Sequence, residues 1–118
     1  MSAKPFQIRT DPDSTKISAA GGICGGSAAD FSRALVREAL RLGEPEGEVC
    51  LEFEDLDLLD GAAVAETVNA IREILNSGRP MQIHRSPQML AHTLYKAGML
   101  KDGRITLIDP VEEESTAN

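Results

Sequence analysis

Acidic side chains cluster in the middle of the chain, where they could bind a metal ion. Glu52, Glu54, Asp55, Asp57 and Asp60 all lie between positions 52 and 60, and carboxylate oxygens are the ligands that Mg²⁺ prefers. On a strand and the loop after it, however, these side chains would point in several directions. We therefore interpret them as a solvated acidic rim that complements a basic partner, and the sequence predicts no metal site.

The other reactive side chains stand alone in the sequence. His84 and His92 have no visible nucleophile or orienting carboxylate, which favours surface or packing roles over general-base catalysis. Cys24 has no neighbour that would activate its thiol, so a small apolar filler is preferred to a redox role. Four glycines surround Cys24: Gly21, Gly22, Gly25 and Gly26. The segment lacks the Lys and Ser/Thr of a phosphate-binding P-loop, so it indicates a flexible turn. We expect neither catalysis nor a cofactor.

Length and charge limit the class of protein. The 118 residues fit one domain, and the formal net charge of −7 disfavours binding to nucleic acid or to anionic lipid. Two cysteines are too few for a disulfide framework or a zinc site. No apolar run approaches the ~20 residues that span a bilayer, and the N-terminus lacks the apolar core of a signal peptide. We expect a soluble, cytoplasmic protein whose partners are proteins with basic or mixed surfaces.

Hydrophobic periodicity predicts an alternation of strands and helices. A hairpin over residues 5–20 precedes the glycine-rich turn. Three helices follow: one capped by Ser27 and closed by Gly43, one from the cap Asp60 to Ser77-Gly78, and one begun by Ser86-Pro87 and ended at Gly98. Each of these helices is followed by a strand, at 49–54, 80–84 and 104–108. This order predicts an α/β fold with a mixed sheet and helices packed mainly on one face. The domain should span 1–110, with an acidic, disordered tail at 111–118.

The order and spacing of these motifs resemble the STAS domain, the fold of bacterial anti-sigma factor antagonists and of the cytoplasmic tails of sulfate transporters. The residues that carry the resemblance are 49–53, 58–63, 71–78, 85–90 and 97–100. The likeness extends from about residue 6 to residue 108. One motif differs: the family's Asp-Ser-Ser-Gly aligns with Asp60-Gly61-Ala62-Ala63.

This difference removes the family's chemical switch. In the family, a partner kinase phosphorylates the second Ser of the motif, and the modification releases the partner; here that position is Ala62, which has no hydroxyl. The resemblance therefore implies a protein–protein interaction module that binds without phosphorylation at this site. The expected surface comprises Asp57, Leu58, Asp60, Gly61, Ala62 and Ala63, together with Gly22, Cys24 and Ser27. The partners that the resemblance implies are a GHKL-type anti-sigma kinase, a chemotaxis kinase or an ABC-transporter ATPase.

Two alternatives keep the same scaffold. The protein could be a phosphorylation-responsive antagonist that uses another hydroxyl, such as Ser27 or Thr67, although we interpret Thr67 as a helix-surface residue. It could also be a module that binds a nucleotide or small ligand, as has been proposed for related domains.

Overall fold

Eight elements follow one another in the predicted order. The computed structural model describes residues 6–11, 16–42 and 47–109. The elements are β1 (Phe6–Thr10), β2 (Lys16–Ile23), α1 (Gly25–Arg41), β3 (Val49–Leu58), α2 (Gly61–Asn76), β4 (Met81–His84), α3 (Gln88–Lys96) and β5 (Ile105–Ile108). They form a five-stranded sheet with three helices, which confirms the α/β class. No helix in the described ranges is long and apolar enough to cross a membrane.

The strands lie in the sheet in the order of the sequence. β1 pairs antiparallel with β2, while β2, β3, β4 and β5 are parallel neighbours. From β2 to β5, each strand is added on the same side of the one before it. Because crossovers between parallel strands are right-handed, this order places all the connecting helices on one face of the sheet. Burial agrees, because Val49, Leu51 and Phe53 are fully buried while Cys50 and Glu52 between them are not. The prediction of a mixed sheet with helices on one face is confirmed.

A β-bulge changes which side chains of β3 face the helices. Ser18 pairs with Glu52, but Ala20 pairs with Asp55, so β3 contains one extra residue over this stretch. As a result two consecutive residues, Glu54 and Asp55, are exposed, and Leu56 becomes buried. The acidic side chains therefore spread over the open face and the end of the strand. Among the described residues, no group of three or more His, Cys, Asp or Glu is arranged to hold a metal ion.

The glycine-rich segment is not the turn that we predicted. Gly21 and Gly22 belong to β2, which pairs with β3 as far as Ile23. α1 then begins at Gly25, so Ser27 is its third residue and not its cap. The Ser27 hydroxyl accepts a hydrogen bond from the backbone N–H of Cys24 at 3.3 Å, which links it back to the first turn.

The other predicted helix ends agree in part. Asp60 caps α2 as predicted, and Ser77 and Gly78 close that helix. α3 begins one residue later than predicted: Pro87 is its cap, and the preceding Ser86 is fully buried with its hydroxyl directed at the Pro87 carbonyl. The expected stop at Gly43, the limit of the domain at residue 110 and the tail 111–118 lie outside the described residues.

Two arginines bind the carboxyl ends of the long helices, where the last backbone carbonyls lack helical partners. Arg79, just before β4, is 1% exposed and donates to the carbonyls of Ala39 in α1 (2.6 Å) and Gly47 (2.8 Å). Arg104, just before β5, donates to the carbonyl of Leu75 in α2. Each cation also lies at the negative end of a helix dipole. Neither contact can be recognised in the sequence, because the carbonyls that the two arginines bind are far away in the chain.

Replacing the buried Arg79 by Met tests the first of these contacts. Met retains much of the side-chain volume but leaves the carbonyls of Ala39 and Gly47 unpaired, so we expect a loss of about 1–3 kcal/mol in the free energy of unfolding. The exposed Arg72→Met is the matched control and should stay within about 0.5 kcal/mol of the wild type. Urea unfolding measures both. Equal stability of Arg79→Met and the wild type would show that the guanidinium is not needed there.

Candidate partner-binding surface

One carboxylate joins the first turns of two helices. Asp60 Oδ1 accepts a hydrogen bond from the N–H of Ala63 in α2, and Oδ2 accepts one from the N–H of Gly25 in α1; both are 2.9 Å long. The first amides of a helix have no partner within it, so Asp60 satisfies one such donor in each helix. The sequence predicted only the contact with α2.

Strand pairing brings these two helix ends together. β2 and β3 remain paired up to Ile23 and Leu58, and the N–H of Leu59 then donates to the carbonyl of Ile23 at 2.8 Å. The loops that follow two parallel neighbours therefore lie side by side. A methyl group on Gly25 would lie 3.7 Å from the Cβ of Ala62, which shows how closely the helix ends approach. The segment Gly22–Ser27 and the segment Asp57–Ala63 are thus combined in one surface.

Not all of the predicted surface residues are accessible. Asp57, Asp60, Gly61, Ala62 and Cys24 are exposed, and Leu58 and Gly22 are half-buried. Ala63, by contrast, is fully buried, and Ser27 is only 9% exposed. Both were placed on the surface because they belong to the motif and the loop that the resemblance to the STAS family marks; the structure buries their side chains beneath it.

Leu59 lies in the predicted loop, between Leu58 and Asp60, and contributes a large apolar side chain to this surface. Its side chain is 63% exposed, although it is large and apolar. It lies over Gly22, where a methyl group would come within 3.1 Å of Leu59 Cδ1. An apolar side chain just before a helix cap was the available signal, but such a residue usually packs on its own helix. Leu59 adds an apolar contact to the uncharged patch formed by Gly61 and Ala62.

The electrostatics of the surface centre on Asp60. The hydrogen bond from Ala63, and then that from Gly25, lower the pKa of the Asp60 carboxyl; desolvation opposes them, and the amide of Ala62 makes the smallest contribution, which also lowers the pKa. Asp60 is therefore ionised at neutral pH, and its charge offsets the positive ends of two helix dipoles. Because the carboxylate occupies these amides, they are not free to bind a phosphate in the way that many helix N-termini do.

The hydroxyls considered as alternative phosphorylation sites are not accessible. Thr67 is completely buried and its hydroxyl donates to the Ala63 carbonyl at 2.8 Å, so its interpretation as a surface residue was wrong. Residue 67 lies on the helix face that also carries Val64 and Ile71, and this face packs into the core. The Ser27 hydroxyl is held by the backbone of Cys24.

Polar groups on the open face of the sheet form a separate small cluster. Gln82 Oε1 lies 3.1 Å from His84 Nε2 and 3.7 Å from Cys50 Sγ. Burial, followed by the charge of Glu48, raises the pKa of the Cys50 thiol; Glu52 raises it further and Lys16 opposes the effect. A raised pKa keeps this thiol protonated and makes it a weak nucleophile. His92 lies exposed on α3, far along the chain from this cluster.

Asp60→Asn tests the bridge between the helices through its pH dependence. An amide offers one acceptor oxygen, so it retains only one of the two hydrogen bonds, and the variant should melt at a lower temperature than the wild type near neutral pH. Because folding lowers the pKa of Asp60, the higher melting temperature of the wild type is fully present at pH values above the unfolded-state pKa. It should disappear as the pH falls through the folded-state pKa, which lies below the usual pKa of an aspartate.

Asp57→Asn is the control for this experiment. It makes the same change of charge at an exposed position on the same edge, without removing a helix cap. A difference between Asp60→Asn and the wild type that stays constant down to low pH would contradict the assignment of the carboxylate.

Comparison with known proteins adds no relative from which a function could be transferred. No protein-family model matches the sequence, and no curated protein matches it either. The resemblance to the STAS family therefore depends on the order and spacing of the motifs, and the interpretation of the surface depends on its geometry.

Proposed function

We propose that the protein is a cytoplasmic, STAS-like regulatory module that binds a protein partner through the surface around Asp60 and has no catalytic activity of its own. The observation that carries this proposal is the exposed group of small and apolar residues Leu59, Gly61 and Ala62 on either side of the ionised Asp60, which links this segment to the first turn of α1. A surface that is held in place before binding loses little conformational entropy when a partner docks.

The residue at the position of the family's phosphoacceptor determines how binding is controlled. A phosphoryl group would add up to about two negative charges at the start of α2, beside Asp60. Ala62 keeps this position neutral, so the module remains constantly in its binding form. The exposed Asp57 and Asp60 favour a partner with basic residues around an apolar centre. By resemblance, this partner is a GHKL-type anti-sigma kinase, with a chemotaxis kinase or a transporter ATPase as alternatives.

The competing functions have less support. The hydroxyls of Ser27 and Thr67 are buried and hydrogen-bonded within the protein. Control by phosphorylation would require them to become accessible to a kinase. Binding of a nucleotide phosphate at the two helix ends would compete with the Asp60 carboxylate for the same amides. Constant binding of a protein partner requires neither the exposure of a buried hydroxyl nor the displacement of the Asp60 carboxylate.

Ala62→Asp tests the proposed surface without weakening the fold. The helix dipole favours an acidic residue in the first turn of α2, whereas the neighbouring Asp60 carboxylate opposes it, so the melting temperature should stay close to that of the wild type. The added charge in the patch should nevertheless abolish capture of the partner from native lysate, identified by mass spectrometry. Asn69→Asp is the matched control: it adds the same charge on the exposed face of α2, two turns away, and retains an acceptor for Arg72. Equal capture by both variants and the wild type would exclude this surface.

Ala62→Ser asks whether the partner still recognises the position as a phosphoacceptor. With a purified GHKL-type kinase that the wild type captures, and ATP, the variant should gain the mass of one phosphoryl group on the introduced hydroxyl, and the wild type should gain none. Intact-mass measurement followed by peptide fragmentation distinguishes these outcomes. A phosphoryl group on the wild type would contradict constant binding and would identify another acceptor.

A further inference from the structure

The sheet ends on one side at β5, whose outer backbone edge has no partner among the described residues. In the sheet β5 pairs only with β4. The carbonyl of Ile108 accepts a hydrogen bond from the N–H of Arg85, just after β4, at 2.9 Å. Because backbone groups alternate in direction along a strand, Leu107 directs its N–H and carbonyl to the free side. β5 therefore has room for another strand.

This edge lacks the features with which proteins usually prevent strand addition. β5 (Ile105–Ile108) contains no charged residue and no proline. Thr106 is exposed, and Leu107 and Ile108 are half-buried. The strand at the opposite edge, β1, carries the exposed Gln7 and Arg9. Of the two edges of the sheet, β5 is thus the one better suited to pairing with another strand.

α3 presents an exposed apolar strip on one of its sides. Leu90 and Leu94 are fully buried beneath the helix. Ala91 and Tyr95 each follow one of these leucines, so both lie about 100° further round the helix, on the same side. Ala91 is half-buried, and Tyr95 is 72% exposed although it is large and aromatic.

This side of α3 faces the free edge of β5. The three helices run in the same direction on one face of the sheet, so the side just beyond the buried residues is equivalent in each. In α1, Ser32 follows the buried Phe31 and lines a cavity shared with Glu66 of α2, the next helix across the sheet. The equivalent side of α3 points towards β5, the last strand in the described sheet. Leu107 pairs with the buried Ile83 and so lies on the helix face of β5, where it continues the strip.

We call Ala91, Tyr95, Leu107 and the free backbone of β5 the β5–α3 edge. A twofold axis perpendicular to the sheet can relate two such edges, because it reverses the strand direction and keeps the helices of both copies on the same face. Residues opposite each other in antiparallel strands share a face, so Leu107 of one copy meets Ile105 or Leu107 of the other. The β5–α3 edge is therefore complementary to itself.

Charges around β5 favour a second copy in this orientation. Three charged residues precede the strand and give its start a net positive charge: Lys101, Asp102 and Arg104. At the other end Arg85 and Asp109 balance each other, and the sequence then continues into three glutamates at 112–114. In an antiparallel pair the start of each β5 meets the end of the other, so opposite charges approach. A parallel pair would bring like charges together.

We propose that the protein forms a twofold-symmetric homodimer through the β5–α3 edge. The β5 strands of the two copies pair antiparallel and join the two sheets into one, and the α3 helices approach each other through Ala91 and Tyr95. The surface around Asp60 lies at the other side of each sheet, beside β2 and β3. The dimer therefore leaves both of these surfaces free and turns them in opposite directions, and it does not require the proposed function.

Sedimentation velocity over a range of protein concentrations tests the dimer. The wild type should show a reversible equilibrium between monomer and dimer. Thr106→Lys places two like charges near the twofold axis, and Tyr95→Lys places a charge in the apolar strip. Each should raise the dissociation constant of the dimer about tenfold or more. Both positions are exposed, so the melting temperature of the monomer should stay close to that of the wild type.

Two matched variants control for added charge. Gln7→Lys makes the change at an exposed position of the opposite edge strand, and Met89→Lys replaces another exposed, large apolar residue of α3, which is 58% exposed. Neither should alter the dissociation constant. A wild type that remains monomeric at every concentration, or equal effects of these controls and of Thr106→Lys and Tyr95→Lys, would overturn the proposal.

Amide hydrogen exchange identifies the edge that pairs. The N–H of Leu107 should exchange more slowly as the concentration of the wild type rises, because it gains a hydrogen bond to the second copy, whereas the N–H groups of residues 6–10 should not change. Equal protection of Leu107 at every concentration would show that the chain covers its own edge, and protection of residues 6–10 on association would assign the dimer to β1. Either result would overturn the proposal.

Discussion

The carboxylate of Asp60 satisfies a constraint that this topology creates. When parallel strands carry all their helices on one face, neighbouring helices begin at the same edge of the sheet, and each presents amides that have no partner. Here β2 and β3 pair to their ends, so the first turns of α1 and α2 come within reach of one side chain. The two hydrogen bonds link the loop at 57–60 to α1 at the place where Gly25 approaches Ala62.

The opposite ends of the same helices are bound by charges of opposite sign. Arg79 and Arg104 donate to carbonyls near the carboxyl ends of α1 and α2, whereas Asp60 accepts from amides at their beginnings. Each charge is complementary to the helix dipole that it faces. The two arginines are drawn into the fold from the start of β4 and β5, and Arg79 is almost completely buried. These contacts fix the helices at both ends, so the helix starts form a rigid edge on which a binding surface can be built.

The sequence predicts local features well and long-range contacts poorly. Local features depend on neighbouring residues: the alternation of Val49, Leu51 and Phe53, the helical spacing of apolar residues, and the cap at Asp60. The order of the elements follows from these features. The bulge in β3 depends on its register with β2, so alternation alone could not show that Leu56 returns to the core. The contact between Asp60 and Gly25 spans 35 positions. The burial of Thr67 depends on where α2 packs, which a hydroxyl in a helical pattern does not reveal.

Under the proposed function, a substitution at position 62 would change control and preserve the hydrogen bonds of Asp60. A phosphoryl group at the start of a helix is normally stabilised by free backbone N–H groups. Here Asp60 already accepts from Gly25 and Ala63, so a phosphoryl group on a serine at position 62 would meet a carboxylate where it needs donors. In this geometry the charge of Asp60 would oppose a phosphate on residue 62. Replacing the hydroxyl by the methyl group of Ala62 removes the repulsion and leaves every hydrogen bond of the bridge in place. If the proposed function holds, control of the module acts on its concentration or on a second contact with the partner.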